Sequence, residues 1–330
     1  MTTGTLFLTR SDVASLLDLG DCIAAVEHAF RELGAGRVRA PGALAHQVDD
    51  GGFHVKVASL PGNPAYFAAK TNGNFPQNRD RFGLPSVQGV IVLSDVANGR
   101  LLAVMDSIEI TALRTAAATA VAARHLARPT SRVAAIAGCG VQGRMQLRAL
   151  RHVREIDRVY AYDVSPELAR RYADEIANEM HIEVIPVTEL AVGARNADVV
   201  ITCTPSREPI LRRSDVRPGT FVAGVGADAE HKQELDPQLL KHSAIVTDVL
   251  EQCSRFGDLH HAIAAGVVRR EDVRAELGEV VAGVKQGRWS DEEIVVFDST
   301  GTAVQDVAAA ALVYERALQR DVGTRIDINA

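Results

Sequence analysis

Three glycines and one acid offer the most specific chemistry in the chain. In RVAAIAGCGVQG, Gly138, Gly140 and Gly143 follow the apolar run Val133–Ala137 and open a segment of helical character. Glycines at that spacing make a tight turn and let the backbone approach a pyrophosphate. The phosphate charge then rests against unpaired N–H groups at the helix start. Asp163 stands twenty residues past Gly143, at the end of the strand-like RVYAY. A carboxylate there accepts hydrogen bonds from adenosine ribose hydroxyls and repels a 2′-phosphate, so the pattern predicts NAD(H) in preference to NADP. Arg170 and Arg171, in the next helical segment, are cations that could reach back and soften that preference.

The elements around this loop alternate. Val133–Ala137, Arg158–Tyr162, Asp198–Thr202, Thr220–Val225, Ala244–Asp248 and Ile294–Phe297 read as strands, and Val141–His152 and Pro166–Glu179 as helices. Such alternation predicts right-handed βαβ units, hence an α/β, Rossmann-type doubly wound parallel sheet. The first third has a different rhythm. A short helix capped by Ser11 or Asp12 and a longer one over Asp21–Leu33 precede strands in FHVKVASL, Tyr66–Thr71, Val87–Ser94 and Leu101–Met105, with Asn98-Gly99 as a hairpin turn. This is antiparallel material for an α+β domain. An alanine-rich helix runs over Asp106–Arg128 to Pro129, and another over Val304–Leu318.

Totals exclude several classes. The chain has 330 residues, 47% of them apolar and 24% charged, with a net charge of −6. That balance is globular, and the absence of a basic block argues against nucleic acid as a partner. No apolar run approaches the roughly 18 residues of a membrane span. The first residues have no secretory pattern, which predicts a cytoplasmic protein with no membrane partner. Cys22, Cys139, Cys203 and Cys253 are widely spaced and read as structural thiols of a reducing compartment. Cys253, Asp258, His260 and His261 form a ligand-rich stretch, yet the spacing lacks paired ligands and no metal is expected. Trp289 reads as a packing anchor.

The segment MDSIEITALRTAAATAVAARHLARP, the loop GCGVQG, the stretch VGADAEHKQELD and the late FDSTGTAVQD together resemble the ornithine cyclodeaminase/mu-crystallin family over essentially the whole chain. The resemblance implies a homodimer with a discontinuous substrate-binding and dimerisation domain, 1–116 and 304–330, and a dinucleotide domain, 117–303. It implies hydride exchange between nicotinamide and the α-carbon of an amino or imino acid. By motif, Lys70 in FAAKTNGN and Arg114 in TALRTAA are catalytic residues that hold the substrate carboxylate, Lys70 also supplying a proton; Asp228 manages the proton at the α-nitrogen, and Arg39 in VRAPG adds a further carboxylate contact. Ser86, Arg114, Thr115, Val141, Gln142, Thr204, Val225 and Ser299 belong to the cofactor site by the same comparison.

Two features depart from the pattern. Cyclodeaminases of the family place a glutamate on the strand before Lys70, whereas this chain offers His54 and Lys56, which suit a neutral or acidic substrate side chain or else face solvent. Glu230-His231 replaces a frequent Pro-Gly. The expected activity is therefore an NAD-dependent imino-acid reductase or amino-acid dehydrogenase. The rivals are a cyclodeaminase without net redox and a non-catalytic binding protein.

Overall fold

In the computed structural model, which describes residues 4–328, the chain divides into two compact units. One takes the residues up to Arg114 and those from Thr302 onward; the other is the continuous stretch Thr115–Gly301. Both crossings fall two residues before the boundaries drawn from the sequence.

The first unit is a seven-stranded sheet: β1 (Thr5–Leu8), β2 (Gly42–Val48), β3 (Gly51–Leu60), β4 (Tyr66–Asn74), β5 (Val87–Asp95), β6 (Leu101–Asp106) and, from the far end of the chain, β17 (Thr324–Ile326). Strands β2 to β6 form an antiparallel meander, while β1 runs parallel to β6 and antiparallel to β17. The short first helix is capped by Thr9, not by Ser11 or Asp12. Thr9 Oγ1 receives the Asp12 N–H while the Asp12 carboxylate receives the Thr9 N–H, a capping box that satisfies two otherwise free donors. Asp18 caps the next helix, Leu19–Gly34, which buries Cys22, Ile23, Val26, Ala29 and Phe30.

That helix packs on the helix Ala303–Arg320, which also covers β3 and β4. The first turns of Ala303–Arg320 are buried all round, and its alanines permit close approach. Because side chains alternate across a strand, this covered face carries Ala68, Lys70 and Asn72. The opposite face carries Leu44, Phe53 and Val90, which are 65%, 42% and 44% exposed. The polar side of FHVKVASL is therefore the covered side, and the apolar side is open.

In the second unit, eight strands lie in one parallel sheet: β7 (Val133–Ala137), β8 (Arg158–Tyr162), β9 (Glu183–Val187), β10 (Val199–Thr202), β12 (Phe221–Gly224), β14 (Ala244–Thr247), β15 (Ala275–Glu276) and β16 (Val295–Asp298). Two short strands, β11 (Arg207–Leu211) and β13 (Gln233–Leu235), pair separately. The order β15-β14-β16-β12-β10-β7-β8-β9 places β7 beside both β8 and β10, where the strand order reverses. In doubly wound sheets ligands bind at the carboxyl ends of the strands at that point. Trp289 is no anchor: it is 66% exposed, with the Arg274 guanidinium stacked 3.7 Å from its ring centre.

Candidate active site

The glycine loop has the geometry a pyrophosphate needs. Gly138 has φ +100°, a backbone conformation that side chains resist. A Cβ at Gly143 would strike the Gly138 carbonyl oxygen, whereas one at Gly140 would meet nothing within 4 Å. So two glycines close the turn, and the third keeps the approach to the Val141–Arg151 helix open. No side chain caps that helix, and its first N–H groups remain for a ligand. Asp163 directly follows β8 and holds the loop: its Oδ2 accepts the Cys139 N–H at 2.9 Å and its Oδ1 the Ser165 N–H at 3.0 Å. Val141 and Val164 flank the acid at 67% and 87% exposure, apolar surface suited to cover by a nucleotide. Arg171 is engaged by Glu175 at 2.6 Å. The residues present fit NAD(H).

Beyond the ends of β10, β12 and β16 stand Thr204, Val225 and Ser299, all at the same edge of the sheet. Buried acids position them. Glu234 accepts hydrogen bonds from the Thr204 N–H (2.6 Å) and hydroxyl (2.7 Å), the Thr202 hydroxyl (2.7 Å) and the Gly226 N–H (2.8 Å). Asp248 accepts the Gly301 N–H at 2.7 Å and the Ser299 hydroxyl at 3.2 Å. Asp228 follows β12, is half-exposed, and pairs with Lys232 at 2.6 Å. Gln142 is half-buried, with its Oε1 3.4 Å from Gln146 Nε2.

In the first unit, one carboxylate gathers two of the expected residues. Asp306 Oδ1 lies 2.8 Å from Lys70 Nζ and 2.9 Å from Arg114 Nε, and Gln305 Oε1 accepts from Arg114 Nη1 at 2.8 Å. Lys70, Arg114, Gln305 and Asp306 are 3%, 5%, 0% and 1% exposed. Asp306 Oδ2 and Gln305 Nε2 have no hydrogen-bond partner, an expensive arrangement in a dry site. Burial, then the Arg114 charge, pulls the Lys70 ammonium down to about 7 against the opposing pull of Asp306. This set is an anion clamp whose anion is supplied by the chain itself.

The remaining expected residues are dispersed. Arg39 is exposed in the loop before β2, outside this cluster. Ser86 is half-buried just before β5, and its hydroxyl lies 3.4 Å from the Pro76 carbonyl. Thr115 follows Arg114 on the helix Ile108–Leu126. His54 and Lys56 lie on the covered face, opposite Asn72 and Lys70. Sequence reasoning missed Asp306 and Gln305, although both stand in FDSTGTAVQD; the signal was an acid inside an otherwise apolar helical run. It also missed the structural acids. Asp258, part of the ligand-rich stretch, instead accepts the Glu234 and Leu235 N–H groups at 2.8 Å each. Among the described residues no His/Cys/Asp/Glu group suited to a metal occurs.

A doubly wound sheet with a complete dinucleotide loop, joined to an α+β unit with a buried carboxylate clamp, defines a two-unit α/β dinucleotide protein of amino-acid chemistry. Residues 3–321 match the model of the ornithine cyclodeaminase/mu-crystallin family, and the chain belongs to that family. It is 42% identical over 323 residues to an alanine dehydrogenase of Archaeoglobus fulgidus, covering 98% of each chain. An archaeal alanine dehydrogenase dimer with bound NAD superposes with a TM-score of 0.94 at 41% identity, covering 98% of this chain and 99% of that one. The Δ1-pyrroline-2-carboxylate reductase of Thermococcus litoralis, in complex with NADH and L-proline, gives 0.93 at 36% identity, covering 98% and 100%. No helix among the described residues is long and apolar enough to cross a membrane.

Proposed function

We propose that this protein is an NAD(H)-dependent oxidoreductase interconverting an imino acid, or a 2-oxo acid plus an amine, with an L-amino acid. NADH, when bound, supplies the hydride that the imine carbon accepts; the nitrogen gains a proton, and NAD+ and the amino acid result. The observation that carries the reading is the pair of buried cations, Lys70 and Arg114, converging on one carboxylate oxygen in a chain that also holds a complete dinucleotide loop.

Lys70 and Arg114 grip the substrate α-carboxylate, Arg114 with a planar fork that lysine lacks. Asp228 holds or takes the proton at the α-nitrogen, and Lys232 stands beside it at 2.6 Å. Gly138, Gly140, Val141, Gln142, Gly143 and Asp163 hold the adenosine pyrophosphate half of the cofactor. Ser86, Arg114, Thr115, Thr204, Val225 and Ser299 also belong to the cofactor site. Arg39 contributes a second-line contact to the carboxylate, and the protein works in the cytoplasm.

A second copy of the chain covers the open face of the first sheet. In support, Leu44, Phe53 and Val90 expose apolar surface there, and a structure at 41% identity is a dimer. NADH oxidation against a panel of 2-oxo acids with ammonia or methylamine, and against cyclic imines, tests the activity. Release of ammonia from ornithine without net change in NADH would instead establish a cyclodeaminase.

A further inference from the structure

Three successive peptide units of the glycine loop are held by side chains, and only the first by a residue already placed in the cofactor site. Asp163 accepts the Cys139 N–H at 2.9 Å and so holds the Gly138–Cys139 unit. The next two units are held by Arg144, in the first turn of the Val141–Arg151 helix. Its Nη1 donates to the Cys139 carbonyl at 2.6 Å and to the Gly140 carbonyl at 3.2 Å. The guanidinium is itself fixed from two sides. Its carbon lies 5.5 Å from the ring centre of the buried Tyr172, and the Tyr172 hydroxyl donates to the Gly143 carbonyl at 3.2 Å. Its Nη2 donates to one carboxylate oxygen of Glu175, on the Pro166–Met180 helix, while the other oxygen takes Arg171.

A trans peptide unit is planar, with its C=O and the following N–H directed to opposite sides. Both units held by Arg144 are trans. Drawing the Cys139 and Gly140 carbonyls to the guanidinium therefore turns the Gly140 and Val141 N–H groups away from it. Packing alone leaves this part of the loop loose. A Cβ at Gly140 would meet nothing within 4 Å, and glycine backbone is the most permissive of all. An anion is bound more tightly by donors oriented before it arrives, because ordering them on binding costs affinity. We infer that Arg144 is a positioning residue of the cofactor site: through two carbonyls it aims the Gly140 and Val141 N–H groups at the pyrophosphate of NAD(H). It acts through the main chain, and its own charge is offset by Glu175. Nothing in this role depends on the reaction catalysed, and binding alone tests it.

The test is equilibrium binding to the full-length chain, NADH by its fluorescence, ADP-ribose and adenosine by displacement of NADH. Arg144→Met keeps the apolar stem over Tyr172. Its affinity for NADH and for ADP-ribose is expected to fall at least about tenfold, while affinity for adenosine, which has no phosphate, changes by less than about threefold. Glu175→Gln keeps the arginine and loosens its far end, so NADH and ADP-ribose should each lose about threefold and adenosine nothing. Arg148→Met controls for charge. It removes a cation paired with Glu179 one turn further along the same helix, and NADH affinity should stay within about twofold. Unchanged NADH affinity in Arg144→Met, or an equal loss in Arg148→Met, overturns the inference. So does an Arg144→Met chain that loses all three ligands alike, since the whole domain has then suffered. Should Arg144→Met fail to fold, Glu175→Gln decides: an unchanged ratio of ADP-ribose to adenosine affinity overturns the inference.

Discussion

Each unit buries a knot of charged side chains, and the two knots are built on opposite terms. In the Thr115–Gly301 unit the charges are acids, and main-chain N–H groups fasten them. Asp248 takes Val249 and Gly301, Asp258 takes Glu234 and Leu235, Asp298 takes Asp258 and Leu259, and Glu234 takes Thr204 and Gly226. Asp258 Oδ2 alone among these carboxylate oxygens is without a partner. In the other unit the charges are mostly cations, they meet side chain to side chain, and Asp306 Oδ2 and Gln305 Nε2 are left open. Acids that tie down loops belong to the fold. The buried cations that share a single internal carboxylate are the ones proposed to meet the substrate. The contrast sets residues that fasten loops apart from residues proposed to act on the substrate.

The comparison breaks first if Lys70 proves dispensable. Lys70→Ala and Asp228→Asn are each expected to lower kcat/KM by about 10²–10⁴, because a carboxylate grip or a positioned proton is lost. NADH affinity, followed by fluorescence, should change by less than about tenfold. Retention of a tenth of the parent activity by either variant refutes the role assigned to that residue.

A smaller effect tests Asp306 as the internal counter-ion. Its charge raises the Lys70 pKa, while burial and Arg114 lower it to about 7. The ammonium form binds carboxylate, so kcat/KM for imine reduction should fall as pH rises through about 7. With Asp306→Asn the counter-ion goes, the Lys70 pKa drops, and the fall should begin at lower pH, with partial recovery in acid. An unshifted profile would leave Asp306 a packing residue only.

The acid knot should answer in stability. Asp248→Ala strands the Gly301 and Val249 N–H groups and is expected to destabilise by about 2–4 kcal/mol, measured by denaturant unfolding. Asp298 gives the subtlest signal. Burial raises its carboxyl to about 7, so between its ordinary value and about 7 the folded chain holds a proton that the unfolded chain releases. Stability from this group is present in acid and lost as pH rises toward about 7. Asp298→Asn should remove that part of the slope, and the difference in Tm between parent and variant should move in the variant's favour from pH 4 to pH 8. A constant difference would mean that Asp298 does not titrate in that window.

What could be read without the structure follows from range. The glycine loop, Asp163 and the ends of β7 and β8 are local patterns, set by turn geometry and by a run of apolar residues, and they were legible. Asp306 reaches Lys70 across 236 positions, and no periodicity encodes that meeting. The capping residue of the first helix went to Thr9 because a reciprocal bond with Asp12 outweighs proximity to the apolar run. The orientation of β3 was hidden for another reason. Alternation reveals two faces, but an open apolar face inverts the usual rule for which of them is covered.

The two crossings of the chain divide the first unit into segments far apart in sequence. Thr115–Gly301 is unbroken, and its strands find partners within that stretch. The surrounding unit is closed by residues from beyond that stretch: β17 pairs with β1, which also pairs with β6, and Asp306 meets Lys70 and Arg114. Without Asp306 the two buried cations would stand without their carboxylate, which favours keeping that sheet open to water. The helix Ala303–Arg320 thus delivers core and counter-ion together.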